Sequence, residues 1–274
     1  MSSQDVPSSS DPNPLAVVTG ASSGIGLSLA RQFVDHGFDV VVAAENDGIH
    51  DAATDLARSG VEVEAVQADL ATPEGVETLA TRVANLGRPV EAAAINAGVG
   101  VGGAFVDTEL EDDLWLVDLN VRSTVHLTKL LVRPMVARGK GRVLITASIA
   151  ATAPGPYHAT YAASKAFVHS FAEGIRHELK DSGVSVTSLM PGPTETEFFD
   201  RADMNDTKVG QASKDDPDEV AKDGYEALMS GKASVVAGSF SNRLQAEVST
   251  HLPDTAAAAT QSRMTAPGSG EAQD

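Results

Sequence analysis

Residues 15–27 read LAVVTGASSGIGL, and this stretch decides the fold. Its first five residues form a short, Val-containing run that predicts a buried strand over Leu15–Thr19. Gly20, Gly24 and Gly26 follow in the spacing G-x-x-x-G-x-G, and a helical pattern begins directly after them. Glycines at such a turn let backbone N–H groups approach a pyrophosphate at the helix N-terminus. The stretch therefore predicts a dinucleotide-binding strand–turn–helix unit.

The glycine turn has two other interpretations. A Walker loop needs Lys and then Ser or Thr after its last glycine, and Leu27 stands there instead, which excludes that loop. A purely structural turn stays open as long as only these residues are considered.

Strand-like and helix-like segments alternate downstream of the turn. Six further short apolar runs, most of them rich in Val or Ile, cover residues 39–43, 61–67, 92–96, 142–147, 184–190 and 234–237. Consecutive apolar residues suit strands buried on both faces, as in a parallel sheet covered by helices. Between the runs lie segments of helix length, and Phe167, Phe171, Ile175 and Leu179 recur every fourth residue, which predicts one buried stripe. We expect a single-domain α/β fold, a doubly wound parallel sheet (Rossmann-like) with helices on both faces.

The domain boundaries follow from composition. We expect the folded domain to cover residues 15–252. Residues 1–14 are rich in Ser, Pro and Asp and predict a disordered N-terminal tail. Residues 253–274 predict a disordered C-terminal tail, although the alanine run 256–259 could extend a helix. No basic segment precedes the first apolar run, and no run is long and apolar enough to span a membrane, so we expect a cytoplasmic protein.

Composition excludes several classes of site and partner. The 274 residues include no cysteine, which excludes disulfides, thiolate metal sites and cysteine nucleophiles. The seven histidines lack metal-ligand spacing, so we expect no metal site. A formal net charge of −18 disfavours nucleic acid and anionic membrane surfaces as partners. An Asp-rich, Lys-poor surface of this kind is also typical of proteins in concentrated salt, where screening removes self-repulsion.

Further motifs, in chain order, decide how the glycine turn is interpreted. Residues 19–26 read TGASSGIG, residues 96–98 read NAG after the fourth predicted strand, and residues 191–192 read PG after the sixth. Over about residues 15–240 these motifs resemble the short-chain dehydrogenase/reductase family. The resemblance implies that Asp69 holds the adenine ring and that Thr194 and Thr196 contact the nicotinamide carboxamide. The full predicted cofactor-binding set is Gly20, Ser22, Ser23, Gly24, Ile25, Gly26, Glu45, Asp69, Leu70, Asn96, Ala97, Gly98, Tyr161, Lys165, Pro191, Gly192, Thr194 and Thr196.

Tyr161 and Lys165 stand four residues apart in YAASK and would share one face of a helix. An ammonium beside a tyrosine favours phenolate and lowers a pKa that is otherwise about 10, which makes a usable general acid/base. Taken alone, such a pair is more often an ordinary surface pair. By resemblance, Ser148 bonds to the substrate oxygen and Asn120 holds a water near the lysine, which completes a catalytic tetrad. Neighbouring His158 is either a substrate-side residue or packing.

The choice between NAD and NADP depends on the end of the second strand. Glu45 lies 19 residues after Gly26, where an acidic residue usually binds the ribose hydroxyls and repels a 2′-phosphate. By resemblance, NAD users commonly carry Asp at the position of Ala44 and NADP users Arg at that of Glu45, and neither residue occurs here. Ser22 and Asn46 could still bond to a phosphate. We expect an NAD(P) cofactor, with NAD(H) slightly favoured.

The resemblance implies an NAD(P)-dependent oxidoreductase that transfers a hydride between the nicotinamide and a small-molecule carbonyl or alcohol, with Tyr161 as general acid/base. One alternative is an acyl-thioester (3-oxoacyl) reductase, for which a basic run over residues 129–142 could meet the phosphate of a carrier. Another alternative is a non-catalytic nucleotide-binding redox sensor on the same fold. No motif identifies the substrate or the direction of the reaction.

Two expectations concern regions outside the motifs. Segment 193–217 is long and acidic, and we expect it to cover the site as a lid carrying Phe198, Phe199 and Met204.

Common members of the family associate through two long helices, here about residues 110–137 and 160–181. We therefore expect a homo-oligomer, with a tetramer favoured.

Overall fold

The protein is described here by a computed structural model, which covers residues 12–239, 242, 244 and 252–270. In that part of the chain seven strands form one sheet: β1 (Leu15–Thr19), β2 (Asp39–Ala44), β3 (Val63–Gln67), β4 (Val90–Ile95), β5 (Gly141–Thr146), β6 (Val184–Pro191) and β7 (Ser234–Ala237). Their spatial order is β3-β2-β1-β4-β5-β6-β7, and every neighbouring pair is parallel. The winding reverses between β1 and β4, which opens the crevice where such sheets bind ligands. The predicted doubly wound parallel sheet is confirmed.

Helices cover both faces of the sheet, as predicted. They are α1 (Gly24–Asp35), α2 (Gly48–Ala57), α3 (Pro73–Asn85), α4 (Leu110–Val117), α5 (Thr124–Arg138), α6 (Ala159–Glu178), α7 (Phe198–Arg201), α8 (Lys208–Gln211), α9 (Pro217–Met229) and α10 (Asp254–Thr265). One core cluster joins α3, α5 and α6 to one face, and a second joins α1, α2 and α9 to the other. Successive β1 residues alternate between the clusters, because strand side chains point to opposite faces in turn.

The predicted buried stripe on α6 is only partly correct. Phe171 and Ile175, and Leu179 just after the helix, are partly buried against the core cluster, whereas Phe167 is not. Phe167 is 43% exposed, and the residues of α6 that are buried include Lys165, Val168 and Ala172. Residues spaced strictly by four advance about 40° per step around a helix of 3.6 residues per turn, so a run of four drifts off any one face. The face that contacts the sheet carries the lysine instead, which directs its side chain toward the end of β5.

The two ends of the chain differ from the expected tails. Residues 1–11 lie outside the described part. Asn13 and Pro14 already bond to the sheet: the Asn13 amide donates to the Asp39 carboxylate at 3.0 Å, and the Pro14 carbonyl accepts from Asp39 N. At the other end the structure has the helix α10 where a disordered tail was predicted, and its Ala257 and Thr265 are buried. Composition misjudged this segment because α10 is held by distant parts of the chain, namely α8 and the Pro156 carbonyl.

Within the described residues, no helix combines the length and the apolar character needed to cross a membrane.

Candidate active site

A cavity of about 530 Å³ lies at the carboxyl ends of β1, β2, β3, β4, β5 and β6 and extends to α10. The predicted cofactor residues that line it are Gly20, Ser22, Ser23, Gly24, Ile25, Gly26, Glu45, Leu70, Asn96, Ala97, Gly98, Tyr161, Lys165, Pro191, Gly192, Thr194 and Thr196. Ser148 also lines it. The structure thus brings residues from the carboxyl ends of six strands to one cavity.

The glycine turn after β1 fits a pyrophosphate. Gly20 and Gly24 have φ angles of +66° and +53°, a backbone conformation that favours glycine. A Cβ on Gly26 would overlap the carbonyl oxygen of Gly20, so only glycine allows α1 to begin this close to the turn. The first N–H groups of a helix have no partner within the helix. Because the turn lines the cavity, these donors and the positive end of the helix dipole are available to an anionic group there.

Hydrogen bonds hold the NAG turn against this loop. The Thr19 hydroxyl accepts from the backbone N–H groups of Asn96 and Ala97, each at 3.0 Å. The Asn96 amide donates to the Thr19 carbonyl at 3.2 Å, and its oxygen accepts from the Thr146 hydroxyl at 3.0 Å. These bonds tie the ends of β1, β4 and β5 together, which fixes the floor of the cavity.

At the end of the cavity near β2 and β3, Asp69 does not line the cavity, although it is predicted to hold the adenine ring. Asp69 is exposed and outside the lining, and its carboxylate accepts from Ala71 N at 2.9 Å. Leu70, the next residue, is buried and does line the cavity. Asn46 donates to the Ser22 hydroxyl at 3.2 Å and accepts from Gly48 N at 3.1 Å, so these side chains are engaged with the protein itself.

At the other end of the cavity, Ser148 follows β5, and Tyr161 and Lys165 lie on α6. The Lys165 ammonium donates to the Thr146 carbonyl at 2.9 Å and lies 5.8 Å from the centre of the Tyr161 ring. The Ser148 hydroxyl accepts from Ala150 N at 3.1 Å and donates to the Pro191 carbonyl at 3.4 Å. One hydroxyl, one phenol and one ammonium therefore converge where a carbonyl oxygen could be bound.

The pKa values at this end differ from the expectation for the tyrosine. Burial raises the pKa of Tyr161 to about 12, and its hydrogen bond with Ser148 lowers it less. Burial lowers the pKa of Lys165 to about 8. Desolvation penalises the charged form of each group, and it is the main cause of both shifts. Tyr161 is therefore a protonated phenol near neutral pH in the unliganded cavity.

Asn120 lies behind the cavity wall. It is 1% exposed and sits on a π-helical stretch, Asp118–Ser123, between α4 and α5. Its amide group accepts from Val99 N and donates to the Val99 carbonyl, both at 2.9 Å, and also donates to the Ser164 hydroxyl at 3.0 Å. A Cβ on Gly98 would lie 3.1 Å from both the Asn120 oxygen and the Lys165 nitrogen. Asn120 thus fixes the Gly98–Val99 turn beside the lysine.

Segment 193–216, called the lid below, folds over the catalytic end. It carries α7 and α8, and its ends meet at a bridge between Thr194 and Asp215. The Phe198 ring lies 5.0 Å from the Tyr161 ring, centre to centre. A Cβ on Gly100 would lie 2.5 Å from the edge of Phe198, so this glycine makes room for the lid. Phe199 and Met204, the other two apolar residues of the expected lid, form a small buried cluster with Ala202.

Sequence reasoning missed several residues of the cavity. Asn242, Gln261, Met264 and Thr265 line it, although three of them lie in the expected tail. The alanine run 256–259 predicted only a helix, and nothing in it indicated where that helix would pack. His158, which was left open, also lines the cavity; burial lowers its pKa, and its Nδ1 has no hydrogen-bond partner in the described structure.

Comparisons with known proteins agree with this geometry. The family model for short chain dehydrogenase matches residues 14–206. A 1-deoxy-11-beta-hydroxypentalenate dehydrogenase of Streptomyces exfoliatus is 38% identical over 185 residues, covering 66% of this chain and 67% of that protein. Dehydrogenase/reductase SDR family member 7B of Rattus norvegicus is 30% identical over 254 residues, covering 88% of this chain and 78% of that protein.

Solved structures give the same result. A short-chain dehydrogenase from Sphingobium yanoikuyae, in complex with NADPH, is 30% identical with a TM-score of 0.76, covering 81% of this chain and 87% of that one. The doubly wound sheet, the order of the motifs along it and these relatives lead to one conclusion: the chain belongs to the short-chain dehydrogenase/reductase family of oxidoreductases.

Proposed function

We propose that this protein reduces a carbonyl to an alcohol, or runs the reverse reaction, with Tyr161 as the general acid/base. The observation that carries the proposal is that one cavity joins the glycine turn at the start of α1 to Ser148, Tyr161 and Lys165. A bound nicotinamide would supply or accept the hydride. The residues around it would orient the carbonyl and move the proton.

The side chains have separate roles in carbonyl reduction. The Ser148 hydroxyl donates a hydrogen bond to the substrate oxygen as negative charge develops there. Tyr161 transfers its proton to the same oxygen. The Lys165 ammonium stabilises the phenolate that remains, because opposite charges at short range favour the ionised form. Asn120 acts as a positioning residue through the Gly98–Val99 turn and is expected, as in the family, to support the return of the proton.

We further propose NAD(H) as the preferred cofactor. Glu45 is exposed and lines the end of the cavity next to Asn46 and Ser22. Among the described lining residues, the basic ones are Lys165 and Arg201, and both belong to the catalytic end. A carboxylate without a neighbouring cation disfavours a 2′-phosphate. The relative from Sphingobium yanoikuyae binds NADPH, so the preference must be measured on this chain.

Turnover of a carbonyl panel with each cofactor tests the proposal. We expect oxidation of NADH with at least one ketone or aldehyde, at a higher kcat/KM than with NADPH. A protein that binds either cofactor but oxidises neither with any carbonyl or alcohol would instead be a nucleotide-binding sensor. The presence of Ser148, Tyr161 and Lys165 together in the cavity favours the enzyme, since a sensor has no need of this set.

The basic run does not support the acyl-carrier alternative. Arg138 and Lys140 lie at the amino-terminal edge of the sheet, where they pair with Glu91 at 3.7 and 2.8 Å. The cavity opens at the opposite edge. A carrier bound at this run would place its thioester on the wrong side of the sheet.

We propose a homo-oligomer, with a tetramer favoured, on separate grounds. Large apolar side chains are exposed on α4 and just before it: Phe105, Val106, Leu110, Leu114, Trp115 and Val117. Phe167 on α6 adds to this exposed apolar surface. Burial of such surface in a symmetric assembly is favourable. Light scattering over a range of salt concentrations tests this, with stronger assembly expected at high salt because screening weakens the repulsion between acidic subunits.

A further inference from the structure

The helix α10 forms a wall of the cavity that contains Tyr161. Gln261, Met264 and Thr265 line that cavity. The match to the family model ends at residue 206, so this wall lies outside the part of the chain that defines the family.

A short series of contacts connects α10 to the catalytic tyrosine. Thr265 is 3% exposed, and its hydroxyl donates to the Pro156 carbonyl at 2.8 Å. His158 stands two residues after Pro156, lines the cavity and has its ring centre 6.0 Å from that of Tyr161. The C-terminal end of α10 thus bonds to the loop that carries His158 beside Tyr161.

The residues that follow α10 fix the wall to the lid. Gly270 N donates to the Asp206 carbonyl at 2.8 Å, and Lys208 N donates to the Ser269 hydroxyl at 3.0 Å. The lid in turn contacts Tyr161 through Phe198. A substrate at the tyrosine therefore lies between two surfaces that are bound to each other.

The chemistry of this enclosure is apolar and uncharged. Among the described lining residues the charged ones are Glu45, Lys165, Glu197 and Arg201. Glu45 belongs to the far end, Lys165 bonds to Thr146, and Glu197 and Arg201 pair with each other at 2.7 Å. The apolar lining of the catalytic end includes Ile149, Ala153, Phe199, Met204, Val209 and Met264. Among the described lining residues, both cationic side chains, Lys165 and Arg201, already have partners, so neither is free to pair with a phosphate or carboxylate on the substrate.

We propose that the substrate is an uncharged carbonyl compound, or the corresponding alcohol, with a large apolar substituent, and that Met264 limits the size of that substituent. Met264 is 36% exposed and faces the cavity, so an apolar group placed against it would cover it favourably. The proposal rests on the proposed oxidoreductase function and adds the substrate class and a specificity residue to it.

The test compares Met264→Ala and Met264→Trp with the wild-type full-length chain on 2-butanone, 2-octanone and benzophenone. Arg263→Ala is the matched control, because Arg263 is exposed on the same helix and does not line the cavity. We expect kcat/KM for benzophenone relative to 2-butanone to rise at least about fivefold in Met264→Ala and to fall about as much in Met264→Trp. The control should stay within about twofold, and KM for the cofactor should not change in any variant.

A second readout does not depend on turnover. Benzophenone should slow hydrogen exchange of residues 254–270 in the wild-type protein with cofactor bound. Ratios that stay within about twofold in both Met264 variants, without such protection, overturn the proposal. If the wild type turns over none of the three ketones, hydrogen exchange alone decides whether α10 contacts the substrate: protection by benzophenone supports the proposal, and its absence overturns it. The proposed function itself fails only if the wild type turns over no carbonyl or alcohol of the wider panel.

Discussion

The two halves of the cavity are built by different means. At the nucleotide half, each contributing turn directly follows a strand, and the turns bond to one another through Thr19, Asn96 and Thr146. At the substrate half, the walls are the lid and α10, which consist of short helices held by a few contacts between distant segments. The first half is therefore fixed by local sequence and the second by tertiary packing. Tyr161 and Lys165 lie where the two halves meet, and the hydrogen bond from Lys165 to the Thr146 carbonyl ties them to the first. We expect the second half to select the substrate.

Removing the phenolic hydroxyl tests the fixed half most strongly. Tyr161→Phe should lower kcat by at least about a hundredfold, because general acid/base catalysis contributes that much or more. The dissociation constant of the cofactor should stay unchanged, since the ring remains in place. Tyr157→Phe is the matched control: Tyr157 does not line the cavity and should keep most of the activity. Near-wild-type turnover of Tyr161→Phe, or the reverse outcome for the two tyrosines, would contradict the assignment.

The pH profile of carbonyl reduction tests the lysine in the same half. The pKa of Lys165 is about 8, so its ammonium form predominates at neutral pH and is lost as the pH rises through that value. Because the charge stabilises the developing phenolate, kcat/KM should be about tenfold lower at about pH 9 than at about pH 7. Tyr161, with a pKa of about 12, stays protonated over this range and does not contribute to the fall.

The matched control for this profile is Lys165→Gln. It should be slower than the wild type at every pH and should lack the fall between about pH 7 and 9. A wild-type profile that stays level to about pH 9 would mean that the charge of Lys165 is not required for reduction.

Most of the residues predicted to bind the cofactor line the cavity, and the reason is physical. Where the backbone packs directly against a carbonyl, as at Gly26 against Gly20, only glycine fits. Such a glycine can be recognised from the sequence alone. Asp69 is the exception, because an aspartate after a strand can just as well cap its own turn, as it does here by accepting from Ala71 N.

The substrate half was less predictable. The length and acidic composition of segment 193–217 predicted the lid, whereas α10 was expected to be disordered. Thr265 has no local pattern that distinguishes it from a tail residue, because its partner Pro156 is 109 residues away in sequence. The contact that fixes the end of α10 to the lid, between Ser269 and Lys208, joins residues 61 positions apart. The pKa of Tyr161 was misjudged for a related reason, since burial is a property of the packed fold and not of the YAASK motif.

Cofactor preference tests Glu45, which lines the far end of the nucleotide half. Glu45→Arg should raise kcat/KM with NADPH relative to NADH by about tenfold or more, because it removes a repelling charge and adds a donor for the 2′-phosphate. Asp47→Arg makes the same change of charge two residues further on, at a residue outside the cavity lining, and should change the ratio less. An unchanged ratio for Glu45→Arg would mean that this side chain does not face the ribose.

The smallest expected effect separates the lid from the catalytic residues it covers. Phe198 packs on the Tyr161 ring and over Gly100, where it shields the reacting atoms from water. Phe198→Ala should raise KM for the carbonyl by about fivefold, part of the ~1.5–3 kcal/mol that full burial of such a ring contributes. KM for the cofactor should change little, because the glycine turn and the NAG turn do not contact this ring. Phe105→Ala, at an exposed phenylalanine outside the cavity, is the control. Equal rises in both KM values would show that the lid serves the whole cavity and that its two halves are not energetically separate.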